Sequence, residues 1–185
     1  VTGSNDAPVV IDPVTGLTAN DPNAIVPQQA VADSAAITPL DVTPFFTDPD
    51  ASDTLTLSIN PATLPTGIAF DPLTGTFSGT PHHSASQGGP NGDGLYPIVV
   101  TATDPYGATV TTTVVFAISN PAPIAANDDL AGSENQSLSG SVFTANGHGV
   151  DSDPDGDSFA VSAVDGSAAN IGAATAGSHG GAFTI

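Results

Sequence analysis

Lys and Arg are both absent from this 185-residue chain, which carries eighteen Asp and one Glu, so no basic side chain can neutralise a carboxylate. The acids also cluster. Asp48, Asp50 and Asp53 fall in FTDPDASD, and Asp151, Asp153, Asp155 and Asp157 in DSDPDGD. Two unit charges about 4 Å apart repel by roughly 4 kcal/mol at an effective dielectric near ~20. A folded chain that gathers three or four carboxylates on one loop therefore needs an external cation or shifted protonation. Aspartates at alternate positions in oxygen-rich loops suit a hard ion with many oxygen ligands, which makes Ca2+ the expected cofactor.

Net charge of this size points toward disorder, but the 39% hydrophobic content is enough for a core and is patterned. Pro and Gly punctuate short alternating stretches rather than helical repeats. Leu55, Leu57 and Ile59 share one face of a strand, with hydroxyls on the other. Tyr96, Ile98, Val100 and Ala102 share one face of the next, and Val110, Thr112, Val114, Phe116 and Ile118 one face of a third. The β-branched Thr and Val fit a pleated, half-buried surface. Ile68-Ala69-Phe70 and Thr76-Phe77-Ser78 flank Asp71-Pro72-Leu73-Thr74-Gly75, a turn opened by Pro and closed by Gly. The fold class expected is all-β, with tandem Ig-like antiparallel sandwiches.

Two Pro-rich junctions, Asn5-Asp6-Ala7-Pro8 and Asn120-Pro121-Ala122-Pro123, each precede an Asp-Pro-Asp cluster and then an expected alternating strand, Leu55–Ile59 and Phe159–Val164. This low-identity repeat divides the chain into four parts. Residues 1–7 end a preceding repeat and its linker, 8–119 form one sandwich, 120–129 a linker, and 130–185 the first part of a second domain. Residues 12–31, rich in Asn, Pro and Ala, leave both a strand pair and an open loop open. The second domain has too few strands to close alone, and its remaining strands are expected from further chain or a neighbouring copy.

In an Ig-like sandwich the loops after the second and sixth strands lie at one end. With Asp48-Pro49-Asp50 as the first of these and Asp104-Pro105-Tyr106-Gly107 as the other, Asp6, Asp48, Asp50, Asp53 and Asp104 are expected at one tip. Asn127, Asp128, Glu134, Asp153, Asp155 and Asp157 are the corresponding set in the second domain. Asp12, Asp21, Asp33 and Asp71 are read as loop and turn residues.

FTDPDASDTLTLS, LPTGIAFDPLTGTFSGTP and VTATDPYGATVTTTVVF closely resemble the bacterial cadherin-like repeats of dystroglycan type, also described as Putative Ig modules, over residues 27–119. VTGSNDAPV is similar to the closing strand and linker of a VCBS-type repeat. NDDLAGSENQSLSGSVFTANGHGVDSDPDGDSFAVSAVDG resembles the opening half of another. Such repeats build large secreted RTX-type adhesins and multidomain extracellular enzymes. The resemblance implies calcium near the domain junctions, with Asp48 and Asp50 as its DxD pair, Asp104 as the hairpin acid and Asp6 as the linker acid. In the second domain it implies Glu134 with Asp153 and Asp155. The linkers are shorter than those of animal cadherins, which implies fewer ions per junction.

Other chemistry is poorly supplied. Without cysteine, thiolate metal and redox sites are excluded. His82 and His83 are adjacent, with diverging side chains expected, and His148 and His179 stand alone, so zinc is not expected. No GxSxG elbow accompanies the serines, and two Tyr without Trp give little for a sugar to stack on; no enzyme is expected. The acidity argues against nucleic acid, and no apolar run is long enough for membrane insertion. The expected function is a calcium-stabilised structural and adhesive module of an extracellular bacterial surface protein, concerned with extension, cell adhesion or biofilm matrix. Its partners would be neighbouring repeats of the same chain. Two alternatives remain open: a glycan- or protein-binding accessory module of an extracellular enzyme, and a subunit self-associating into fibres by strand complementation. The reading predicts that Asp50→Ala or Asp104→Ala lowers the melting temperature only in calcium.

Overall fold

The computed structural model describes residues 3–19, 21–22, 25–133, 135–177 and 182–185. It divides into two compact units, Val1–Asn120 and Pro121–Ile185. Among the described residues no helix is long and apolar enough to cross a membrane.

The first unit is built on its two longest strands. β8 (Leu95–Thr103) and β9 (Thr109–Ser119) pair antiparallel from Leu95↔Ala117 to Thr103↔Thr109. Ile98, Val100, Ala102, Val114 and Phe116 are completely buried, while Val99 on the opposite face is half exposed, as a period of two requires. β5 (Thr56–Ile59) pairs the far edge of β8, and β2 (Gln29–Ala32) runs parallel to β9, giving the order β2-β9-β8-β5. A second sheet has the order β3-β7-β6, from β3 (Leu40–Asp41), β6 (Ile68–Asp71) and β7 (Thr76–Gly79). The pair β1 (Val9–Val10) and β4 (Phe46–Thr47) completes the unit.

The sheets meet through aromatic rings. Phe77 is fully buried, 4.7 Å from Phe70 and 5.5 Å edge-on from Phe116 on the opposite sheet. Truncating such a ring to Ala costs about 3–5 kcal/mol. Gly75 closes the β6–β7 hairpin at φ +63°, where a Cβ would lie 2.5 Å from Thr43 Cγ2. A side chain at that position would therefore be strained and obstructed at once. Thr112 is the polar member of β9's buried face, and it donates its hydroxyl to the Pro22 carbonyl. Of the stretch 12–31, left open above, residues 12–17 form a tight turn closed by the Ile11↔Thr18 bridge, and Gln29–Ala32 form strand β2.

The second unit has little regular structure. β10 (Thr175–Ala176) pairs with β11 (Ala182–Phe183), and isolated bridges join Ile124↔Ser152, Asp128↔Gly147 and Val164↔Ser167. Two expectations need correction. Residues 159–163 form no strand, because among the described residues no backbone bond reaches them before Val164. The stretch 121–129, read as linker, is paired into this unit through Ile124 and Asp128.

Candidate cation site

Three segments distant in sequence form the tip of the first unit. Asp48 directly follows β4, and the turn that starts there folds on itself: the Asp50 N–H donates to Asp48 Oδ1 at 2.8 Å and the Asp53 N–H to the Asp50 carbonyl at 2.8 Å. Such Asx bonding is ordinary for Asp-Pro turns, and here it brings Asp53 back beside Asp48. Asp104 comes from the β8–β9 turn. Its backbone pairs with Ala108, and Oδ1 accepts the N–H groups of Tyr106 at 2.9 Å and Ala108 at 2.8 Å. One carboxylate oxygen each from Asp48, Asp53 and Asp104 lies within 4.8 Å of the others.

Two of these acids have an oxygen without a donor. Asp48 Oδ2 and Asp53 Oδ2 are both shielded from solvent and unpartnered. Removal of water around Asp53, then the charges of Asp48, Asp50 and Asp104, push its pKa above the ordinary 3.8. Asp104 moves the other way. The Asn5 amide donates to Asp104 Oδ2 at 2.7 Å and, with the backbone donors of Ala108 and Tyr106, holds the Asp104 carboxyl below the usual range. One acid is therefore supported as an anion while its neighbour is penalised for being one. A divalent cation among the three oxygens resolves this by giving the orphaned atoms a partner. The three oxygens stand close enough together for one divalent cation to reach all of them.

The other residues expected at this tip have different tasks. Asp50 Oδ2 accepts the backbone N–H of Asp6 at 2.8 Å, so Asp50 fastens the incoming chain, and Asp6 contributes its N–H there. Asn5, which the sequence reading passed over, adds the second tie, to Asp104. Its only signal is its place beside Asp6.

In the second unit the acids bond locally. Asp153 Oδ1 accepts the N–H groups of Asp155 at 3.1 Å and Asp157 at 3.3 Å. A side-chain hydrogen bond between Asp153 and Asp155 lowers the pKa of the first and raises that of the second. Asp155 Oδ2 is shielded and unpartnered. Asp128 Oδ1 accepts the Asn146 amide at 3.0 Å, and Asp151 Oδ1 the Ala126 N–H at 2.7 Å. Asn127 is exposed. Among the described residues the three-acid group is the one in the first unit. Glu134 and His179 lie outside the described residues.

Asp12 and Asp71 accept N–H groups two residues on, from Val14 and Leu73, as turn residues do. Asp33 also lies in a turn but is buried, with both carboxylate oxygens accepting the Ser86 N–H. No local pattern announces a partner 53 residues away. The His82 and His83 rings do not diverge as expected: their centroids lie 4.0 Å apart with the planes tilted by 44°.

Two facing sheets with their acids at the hairpin end define an Ig-like β-sandwich module. The family described as Putative Ig domain matches residues 13–119, and that described as Bacterial Ig domain matches residues 120–185. The chain belongs to the Putative Ig domain family. No curated protein matches it. Among solved structures it is similar to a nucleoside hydrolase-related protein from Saccharophagus degradans, described as associated with carbohydrate metabolism, at 16% identity and a TM-score of 0.41. It is also similar to Drosophila N-cadherin EC1-4, at 12% identity and a TM-score of 0.34. Each alignment covers 63% of this chain, and the chain spans only 26% and 25% of those two proteins.

Proposed function

We propose that this chain is a calcium-stabilised structural and adhesive repeat module of a large bacterial protein that is secreted or displayed at the cell surface. The observation that carries this reading is the convergence of Asp48, Asp53 and Asp104, two of them with shielded, unpartnered oxygens, in a chain without a basic residue. Those three residues would hold the ion, which supplies charge neutralisation and extra ligand bonds when bound. Asp50 and Asn5 tie the entering chain to the same tip, so an ion that orders the tip also orders the segment leading into the module. Neighbouring repeats of the same polypeptide are the partners this arrangement serves.

Ion binding to the folded state alone stabilises it by RT ln(1 + [L]/Kd). With an extracellular-type Kd of about 10⁻⁴–10⁻³ M, roughly 10 mM calcium adds about 1.4–2.7 kcal/mol. For a unit of this size that is a rise of about 5–10 °C in melting temperature. Thermal unfolding of the whole chain in EDTA, calcium and magnesium tests the reading. A calcium-selective rise supports it, and coincident curves in all three would refute it.

A further inference from the structure

Asn followed by Gly occurs twice in this chain, as Asn91-Gly92 and Asn146-Gly147. The pair has a chemistry of its own, because the backbone nitrogen that follows an Asn can attack the side-chain amide carbon, and Gly brings no Cβ to obstruct the approach. The two dipeptides are identical, so a difference in their reactivity must come from the fold. Asn91 and Gly92 are both exposed, in the loop that leads into β8. Among the described residues no partner holds the Asn91 amide. The Gly92 N–H makes only a long bond of 3.2 Å to the Gly89 carbonyl. Gly92 stands at φ +69°, and the nearest atom to a Cβ built there is the Gln87 carbonyl oxygen at 3.6 Å, so the surroundings are open.

Asn146 is half buried and tied down. Its amide donates to Asp128 Oδ1 at 3.0 Å and to the Ser141 carbonyl at 2.7 Å, and its own carbonyl accepts the Asp129 N–H at 3.1 Å. The Asp128↔Gly147 bridge fixes the residue that would attack. To react, Asn146 must first give up both side-chain bonds.

We propose that Asn91-Gly92 is a site of spontaneous covalent modification and that Asn146-Gly147 is its protected twin. The Gly92 nitrogen loses its proton and bonds to Asn91 Cγ. The Cγ–Nδ2 bond breaks, and the amide leaves with that proton as ammonia, closing a five-membered succinimide. Water then opens the ring. Cleavage of the new Cγ–N bond gives Asp at position 91, and cleavage of the original peptide bond gives isoaspartate, whose main chain runs through Cβ and Cγ. No oxidant or reductant is needed. Either product adds a carboxylate close to Asp93, in a chain without a basic side chain to offset it. The proposal is independent of the cation reading, since this loop adjoins the Leu95 end of β8 and Asp104 follows its Thr103 end.

The test is incubation of the full 185-residue chain in EDTA at mildly alkaline pH, followed by pepsin digestion and mass spectrometry of the two Asn-Gly peptides. Conversion of amide to acid should run about tenfold or more faster at Asn91 than at Asn146, which has two hydrogen bonds to break. Hydroxylamine, which opens succinimides, should cut the folded chain between residues 91 and 92. Denaturant should bring the two rates together. Asp128→Ala removes one tie and should speed conversion at Asn146 by roughly fivefold, leaving Asn91 unchanged. Equal rates in the folded chain, or faster loss at Asn146, overturn the proposal. An Asp128→Ala chain in which Asn146 stays as slow as before overturns the protection argued for the twin.

Discussion

At Asp48-Pro49-Asp50 the acidic loop is one of three segments meeting at a tip, whereas at Asp153-Pro154-Asp155 the acids turn to their own backbone. The motif is the same and the outcome differs, because a cation site needs a ligand the motif does not contain. In the first unit that ligand is Asp104, delivered across 50 or more residues by the β8–β9 hairpin, whose nine paired positions fix where the turn falls. The second unit offers no such hairpin among its described residues. Its acids accept nearby backbone N–H groups instead, Asp153 from Asp155 and Asp157, while Asp155 Oδ2 stays unpartnered. A DxD sequence is therefore half of a site, and the fold decides whether the other half arrives.

The sharpest way to break this comparison is to remove the delivered acid. Asp104 organises its own turn and anchors Asn5 besides facing the cation position, so Asp104→Ala should lower the melting temperature by roughly 10 °C in EDTA as well as in calcium. This revises the expectation of a loss in calcium alone, since Asp104's hydrogen bonds exist without an ion. A loss confined to calcium would mean that those bonds contribute nothing.

Asp53 should behave in the opposite sense. It is disfavoured as an anion by lost hydration and three neighbouring carboxylates. Asp53→Asn should raise the melting temperature in EDTA by about 2–4 °C and abolish most of the calcium-induced rise of about 5–10 °C. Differential scanning calorimetry in the two conditions reads both signs.

The pH profile follows from the same pair. A raised Asp53 pKa contributes stability that is complete below its unfolded value and is lost as pH rises through the folded value. A depressed Asp104 pKa contributes stability present above its unfolded value and lost as pH falls through the folded one. In EDTA these two groups together should therefore make the first unit most stable near the ordinary 3.8, falling off on either side. Asp53→Asn should flatten the side of higher pH and leave the acid side intact. The smallest effect belongs to the second unit: Asp155→Asn should move either melting curve by less than about 2 °C. A lost calcium response in that variant would reverse the assignment of the two loops.

Much of the fold was legible because two-residue alternation with β-branched residues has a single structural meaning. The buried faces of β5, β8 and β9 follow from it, and so does the β6–β7 hairpin around Asp71 and Gly75. The parallel pairing of β2 with β9 was not, since Gln29–Ala32 is too short to show a pattern and its partner is nearly 90 residues away. Phe159–Val164 alternates just as well, yet alternation states which side chains share a face and cannot supply a neighbouring strand. At the tip, the clustering of Asp48, Asp50 and Asp53 was plain, but their division of labour was not. Whether an Asp accepts a backbone N–H, as Asp50 does from Asp6, or keeps an oxygen free, as Asp53 does, depends on where distant segments arrive.

The central claim, that Asp48, Asp53 and Asp104 form the cation site, is tested most directly by anomalous diffraction from crystals of the whole chain grown with strontium in place of calcium. The account predicts a peak within about 2.3–2.7 Å of an oxygen from each of the three residues, reduced or absent in Asp53→Asn crystals. A map with no peak at that tip, or with its peak only beside Asp153 and Asp155, would contradict it.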